Sequence, residues 1–142
     1  MFRAIAQGLA RARGLSLMGP EETHEADLLR EAVYDTLCRG KPRAEFRAAV
    51  KSAEVDAPLS QYCPCLLTPT FWGGDPELHC LSELLRTPIF VYLSQSEQGT
   101  GEGFVPIQKY GERYQKKGKS HKARKPLRLL YTQGNHYDLL LA

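Results

Sequence analysis

No stretch of this chain approaches the run of about 20 apolar residues that a membrane-spanning helix requires, and a span is therefore not expected. The first 18 residues come nearest, yet Arg3, Arg11 and Arg13 divide them, which also removes the apolar centre of a secretory signal. An Arg-containing, acid-free start resembles an organelle transit peptide in composition. Phe2, Ile5, Ala6 and Leu9 keep a helical spacing, however, and point to a core helix instead. Excess charge is also scarce: 19 Lys and Arg against 16 acids leave a net charge of +3, too little to imply a nucleic-acid partner. Most of that excess falls in residues 109–125, where Lys and Arg outnumber the lone acid Glu112 and Gly and Ser are interspersed. Such a run reads as a solvated, mobile surface insertion with no apolar periodicity to hold it on a core. Cysteines are few, at 38, 63, 65 and 80, and their scatter argues against a disulfide-stapled secreted scaffold. Reduced thiols and a cytoplasmic or nuclear protein are expected. Cys63 and Cys65 flank Pro64 without a second paired motif, a poor match to zinc-ligand spacing, so no metal is expected.

What is present suits one domain. The 142 residues are 42% apolar and 25% charged, the proportions of a globular fold with a single core. The first half predicts helices over 2–13, 22–38 and 43–55. The second would bury Leu28, Leu29, Ala32, Val33, Thr36 and Leu37, and the third Phe46, Ala49, Val50 and Ala53. From Tyr62 on, Pro64, Pro69, Gly73 and Gly74 predict an irregular stretch that launches a helix over 76–85, with Asp75 as its cap and Pro76 in its first turn. Strands follow: a central one over 89–93, a short one over 105–110 with Pro106 near an edge, and a hairpin of 127–131 and 136–141 closed by Thr132, Gln133, Gly134 and Asn135. No internal repeat appears.

Chemistry is concentrated at the hairpin. Side chains alternate along a strand, so His136 and Asp138 emerge on one face, where the carboxylate can orient the imidazole. A His held this way is what a thiol or hydroxyl nucleophile needs as its general base. The nucleophile is the missing part. Cys80 lies in mid-helix, away from the helix N-terminus that would depress its pKa, and reads as packing.

Three segments carry a family resemblance that spans nearly the whole chain: Met1-Phe2-Arg3-Ala4; Phe71-Trp72-Gly73-Gly74-Asp75-Pro76-Glu77-Leu78 with Leu81-Ser82 and residues 88–92; and residues 127–140. The chain resembles the ovarian-tumour (OTU) deubiquitinases, cysteine proteases of papain-like fold. The resemblance implies an α+β domain over 1–142, with helices around a small, mostly antiparallel sheet. In that family the first motif reads aspartate, glycine, any residue, cysteine, a large apolar residue, then Phe-Arg-Ala, and Met1 holds the apolar place. The resemblance thus implies that the nucleophile and the loop donating to the oxyanion lie ahead of Met1. It assigns the general base to His136 and the orienting acid to Asp138, with Gly134 and Asn135 bordering the channel for the ubiquitin tail. It also makes the Trp72 segment structural, and implies a thiol hydrolase acting after the C-terminal glycine of ubiquitin. No cofactor is needed; ubiquitin or ubiquitinated proteins are the expected partners of a monomer that engages neither nucleic acid nor membrane. A chain that began at Met1 by nature would instead be an inactive ubiquitin-binding module.

Overall fold

The computed structural model describes residues 1–39, 59–68, 71, 73–96, 101–132 and 136–141. The helix expected over 43–55 and the residues Trp72, Gly134 and Asn135 lie outside the described residues.

Helix α1 (Phe2–Ala12) buries Phe2, Ile5, Ala6, Gly8 and Ala10, one face at helical spacing. Helix α2 (Gly19–Cys38) starts three residues earlier than the periodicity predicts, because Pro20 suits a first helical turn, where no N–H is required. Its inward stripe is also rotated from the expected one. Ala26, Arg30, Val33 and Leu37 are buried, whereas Leu28 is 45% exposed. The expected face ignored a basic residue, and a guanidinium in the middle of the stripe is what moved it.

Helix α3 (Leu59–Leu66) corrects the irregular reading of this stretch, since Pro64 sits inside it. Tyr62 and Leu66, one helical turn apart, both enter the core, and that burial outweighs the backbone hydrogen bond Pro64 cannot make. Cys63 is joined to Cys38 in a disulfide that ties α3 to the C-terminal end of α2. The expectation of four reduced thiols is therefore corrected for this pair, whose Cα atoms the helix packing holds 5.9 Å apart, within bridging range. Helix α4 (Asp75–Leu85) begins one residue early, and Asp75 does not cap it. Its carboxylate instead accepts a 2.6 Å bond from the Tyr110 hydroxyl, so a contact across the fold displaces the local cap.

Four strands form one sheet in the order β2-β1-β3-β4. Strand β1 (Ile89–Ser94) is central as expected, antiparallel to β2 (Phe104–Tyr110) and parallel to β3 (Leu127–Thr132). Strand β4 (His136–Leu139) closes the other edge, antiparallel to β3. Pro106 lies on edge strand β2 at a register shift, where its missing N–H breaks no central ladder. Helix α1 packs on β3 and β4, and Gly8 permits the close approach: a Cβ there would lie 2.9 Å from Leu127 Cδ2 and 3.1 Å from Leu139 Cδ1.

The basic segment is not the undocked insertion expected. Tyr114, in a 3-10 turn over Glu112–Gln115, is buried, and its hydroxyl donates a 2.7 Å bond to Glu83 on α4. Arg86 reaches the Ser120 carbonyl, and the Arg124 amide returns to the Tyr114 carbonyl at 2.8 Å. One aromatic outside the Lys-rich part supplies the anchor that periodicity could not reveal. Among the described residues no helix is long and apolar enough to cross a membrane, and no cluster of three His, Cys, Asp or Glu side chains could hold a metal ion.

Candidate active site

Strand β4 presents His136 and Asp138 on one face, and their side chains meet: Nε2 lies 2.9 Å from Oδ1. Both are more than half exposed, 51% and 61%, so the imidazole stays within reach of solvent and substrate. With the hydrogen on Nε2 donated to Asp138, Nδ1 keeps a lone pair able to take a proton.

The pair lines a cleft of about 510 Å³ whose opposite wall is the start of α1, including Met1, Arg3 and Gln7. Gln7 stiffens that wall by donating to the Leu17 carbonyl at 2.9 Å and to Glu22 at 2.7 Å. Arg3 donates to Thr23 Oγ1 at 2.8 Å. Tyr137, between the two site residues in sequence, points to the other side of the strand. It packs on Tyr131 with ring centroids 4.9 Å apart, and burial pushes its hydroxyl up to about 12.

The α-amine of Met1, at the start of α1, is held below its ordinary pKa. Burial lowers the pKa of the Met1 α-amine, the positive charges of Arg30 and Arg3 lower it further, and Asp138 opposes them. The positive end of the α1 dipole acts in the same sense as the two arginines. Gly73 packs beside Met1. Its φ of +74° suits glycine, and the Met1 side chain lies against it, with Met1 Cε 2.5 Å from where a Cβ would stand.

No cysteine of the chain lines this cleft. Cys80 is buried in α4, with burial pushing its thiol up to about 12, so it carries almost no thiolate at neutral pH. Cys38 and Cys63 are bonded to each other, and Cys65 is exposed on α3. The sequence reading missed two charged residues that are buried among the described ones. Glu77 is 1% exposed and accepts a 2.6 Å bond from the Tyr62 hydroxyl. Arg30 lies under the first turn of α1, its Cζ 4.6 Å from the centroid of the Phe2 ring. The available signal for Arg30 was its register, four residues after Ala26 and three before Val33; for Glu77 no pattern marked it as inward.

The sequence pattern of the OTU-like cysteine proteases matches residues 1–137. The chain belongs to the OTU family. Among curated relatives, the ovarian tumor domain-containing deubiquitinating enzyme 3 of Arabidopsis thaliana is 40% identical over 99% of this chain, and enzyme 4 of the same plant is 32% identical over 99%. The OTU chain spans 62% of the length of the first and 39% of the second. Among solved structures, an OTU domain in complex with ubiquitin superposes with a TM-score of 0.60 at 22% identity, over 97% of this chain and 60% of that one. An OTU deubiquitinase from Wolbachia pipientis wMel bound to ubiquitin gives 0.57 at 18% identity, over 99% of this chain and 87% of that one. At these identities the likeness establishes the shared OTU fold, the α+β arrangement of helices around a mostly antiparallel sheet.

Proposed function

We propose that the chain is the body of a ubiquitin-directed thiol hydrolase, with His136 as general base, Asp138 as its orienting acid, and the nucleophilic thiol supplied by residues ahead of Met1. The observation that carries this reading is the exposed His136–Asp138 bond facing the N-terminal turn of α1 across one cleft. A thiol placed just before Met1 would stand at the positive end of that helix, near the charges of Arg30 and Arg3, and the dipole and those charges favour thiolate. The thiolate attacks the carbonyl of the terminal glycine of ubiquitin. The imidazolium of His136 then protonates the leaving amine, and a water deprotonated by the same ring releases the acyl group from sulfur.

The curated relatives are named deubiquitinating enzymes, and two of the superposable structures hold ubiquitin, which supports ubiquitin as the partner. The hairpin residues Gly134 and Asn135, leading into His136, are proposed to border the channel for its extended tail. The test compares the 142-residue chain with the same chain extended by its native upstream residues, on di-ubiquitin and on a thiol-reactive ubiquitin probe. Cleavage by the extended chain alone is expected. Cleavage by the 142-residue chain, or labelling at Cys38, Cys63, Cys65 or Cys80, would overturn the placement of the nucleophile. The absence of a thiol from the cleft also fits a second reading, an inactive ubiquitin-binding module, which predicts ubiquitin binding and no cleavage by either chain.

A further inference from the structure

Arg30 occupies a position in α2 that a leucine would fill in an ordinary packed stripe, between Ala26 and Val33. It is 9% exposed. Its Nη1 donates to the Leu66 carbonyl at 3.0 Å and to the Phe71 carbonyl at 3.4 Å, at either end of the link from α3 toward the Gly73 turn. The guanidinium face lies on the Phe2 ring, and its Nε has no partner among the described residues. Burying a guanidinium with one nitrogen unpaired is unfavourable, so this arginine is a poor choice if packing were its only task.

The segments it contacts meet at Met1. Phe2 follows Met1 directly, and Phe71 lies two residues before Gly73, against which the Met1 side chain packs. We propose that Arg30 is a positioning residue, whose guanidinium holds the first turn of α1 and the Phe71 backbone in one register and so sets where the residue before Met1 stands relative to His136. The inference rests on the hydrolase reading above. Its electrostatic corollary is that Arg30 also supplies positive potential at that end of α1. The charged and titratable groups facing the same end are Arg3 on α1, Glu22 on α2, and His136 and Asp138 on β4.

Two measurements test it, one of them independent of catalysis. In the 142-residue chain, the α-amine of Met1 is titrated by nitrogen-15 NMR in the parent, Arg30→Lys and Arg30→Met. The Met variant should raise the pKa of that amine, the Lys variant should leave it nearer the parent, and both should move the Phe2 ring resonances. In the protein carrying its native upstream residues, Arg30→Lys should lower kcat on di-ubiquitin about tenfold with KM nearly unchanged, the cost typical of a small displacement of a reacting group. In Arg30→Met, which removes the positive charge, the acid limb of the pH–rate profile should move to higher pH. An Arg30→Lys protein with the parent kcat would overturn the proposal, and so would a loss in Arg30→Lys that merely tracks the folded fraction. If the parent itself cleaves nothing, the hydrolase reading fails. The Phe2 ring resonances of Arg30→Lys then decide Arg30 alone: unchanged resonances sink the positioning role, and displaced ones support it.

Discussion

Two carboxylates of this chain each meet a side-chain partner, and their settings are opposite. Glu77 and Tyr62 are sealed between α3 and α4, with a 2.6 Å bond and almost no exposure at the carboxylate. Asp138 and His136 sit on an edge strand with a 2.9 Å bond, both open to solvent. Burial pushes the Glu77 carboxyl up and moves the Tyr62 hydroxyl beyond ordinary titration, partly through Glu77 itself, so a change of protonation in the inner pair is coupled to the stability of the fold. An exposed ion pair contributes at most about 1 kcal/mol, so the outer pair can change protonation without endangering the fold. A general base has to do that in every catalytic cycle.

The contrast is broken most severely by His136→Ala. In the protein with its native upstream residues this change should lower cleavage of di-ubiquitin by a factor of about a thousand or more, while the unfolding midpoint stays within about 0.5 kcal/mol of the parent. A large loss of stability would mean that the outer pair is structural after all. Tyr62→Phe should do the reverse, costing about 1–3 kcal/mol in denaturant unfolding because the buried carboxyl loses its donor, with kcat unchanged at temperatures where the variant is folded. Asp138→Asn comes next. An amide can still hold the ring but cannot stabilise imidazolium charge, and a fall of about tenfold in kcat, smaller than for His136→Ala, is expected. The smallest effect is the most diagnostic of the inner pair. The raised pKa of Glu77 means that the folded state favours the neutral carboxyl; its contribution is full below the ordinary carboxylate range and is lost as pH rises through the folded value. Stability measured by chemical unfolding should therefore fall with rising pH over that window, and Glu77→Gln, which keeps an acceptor for Tyr62, should flatten the fall. An unchanged slope in Glu77→Gln would assign the pH dependence elsewhere.

The same division separates what was readable in the linear chain from what was not. Helix α1, strand β1 and the hairpin of β3 and β4 follow from local periodicity, and the His136–Asp138 contact follows from a spacing of two on a strand. Such features depend on neighbours a few residues away. The helical state of residues 59–66 did not follow, because Pro64 argues against it locally and only burial of Tyr62 and Leu66 reverses the balance. Asp75 is a strong cap by composition, yet it serves Tyr110, 35 residues on. The docking of the basic segment depends on Tyr114 meeting Glu83, a pair 31 residues apart.

By itself, then, the sequence determined helix α1, the strands, the family motifs and the spacing that brings His136 to Asp138, since each is encoded within a strand, a turn or a helical period. Only the tertiary structure decided that Cys38 and Cys63 meet, that Glu77 is buried against Tyr62, and that Arg30 lies beneath Phe2. The reason is physical. A polar or reactive side chain carries no periodic mark of its own, and whether it is sealed, bonded or exposed depends on distant segments that the folded core brings together.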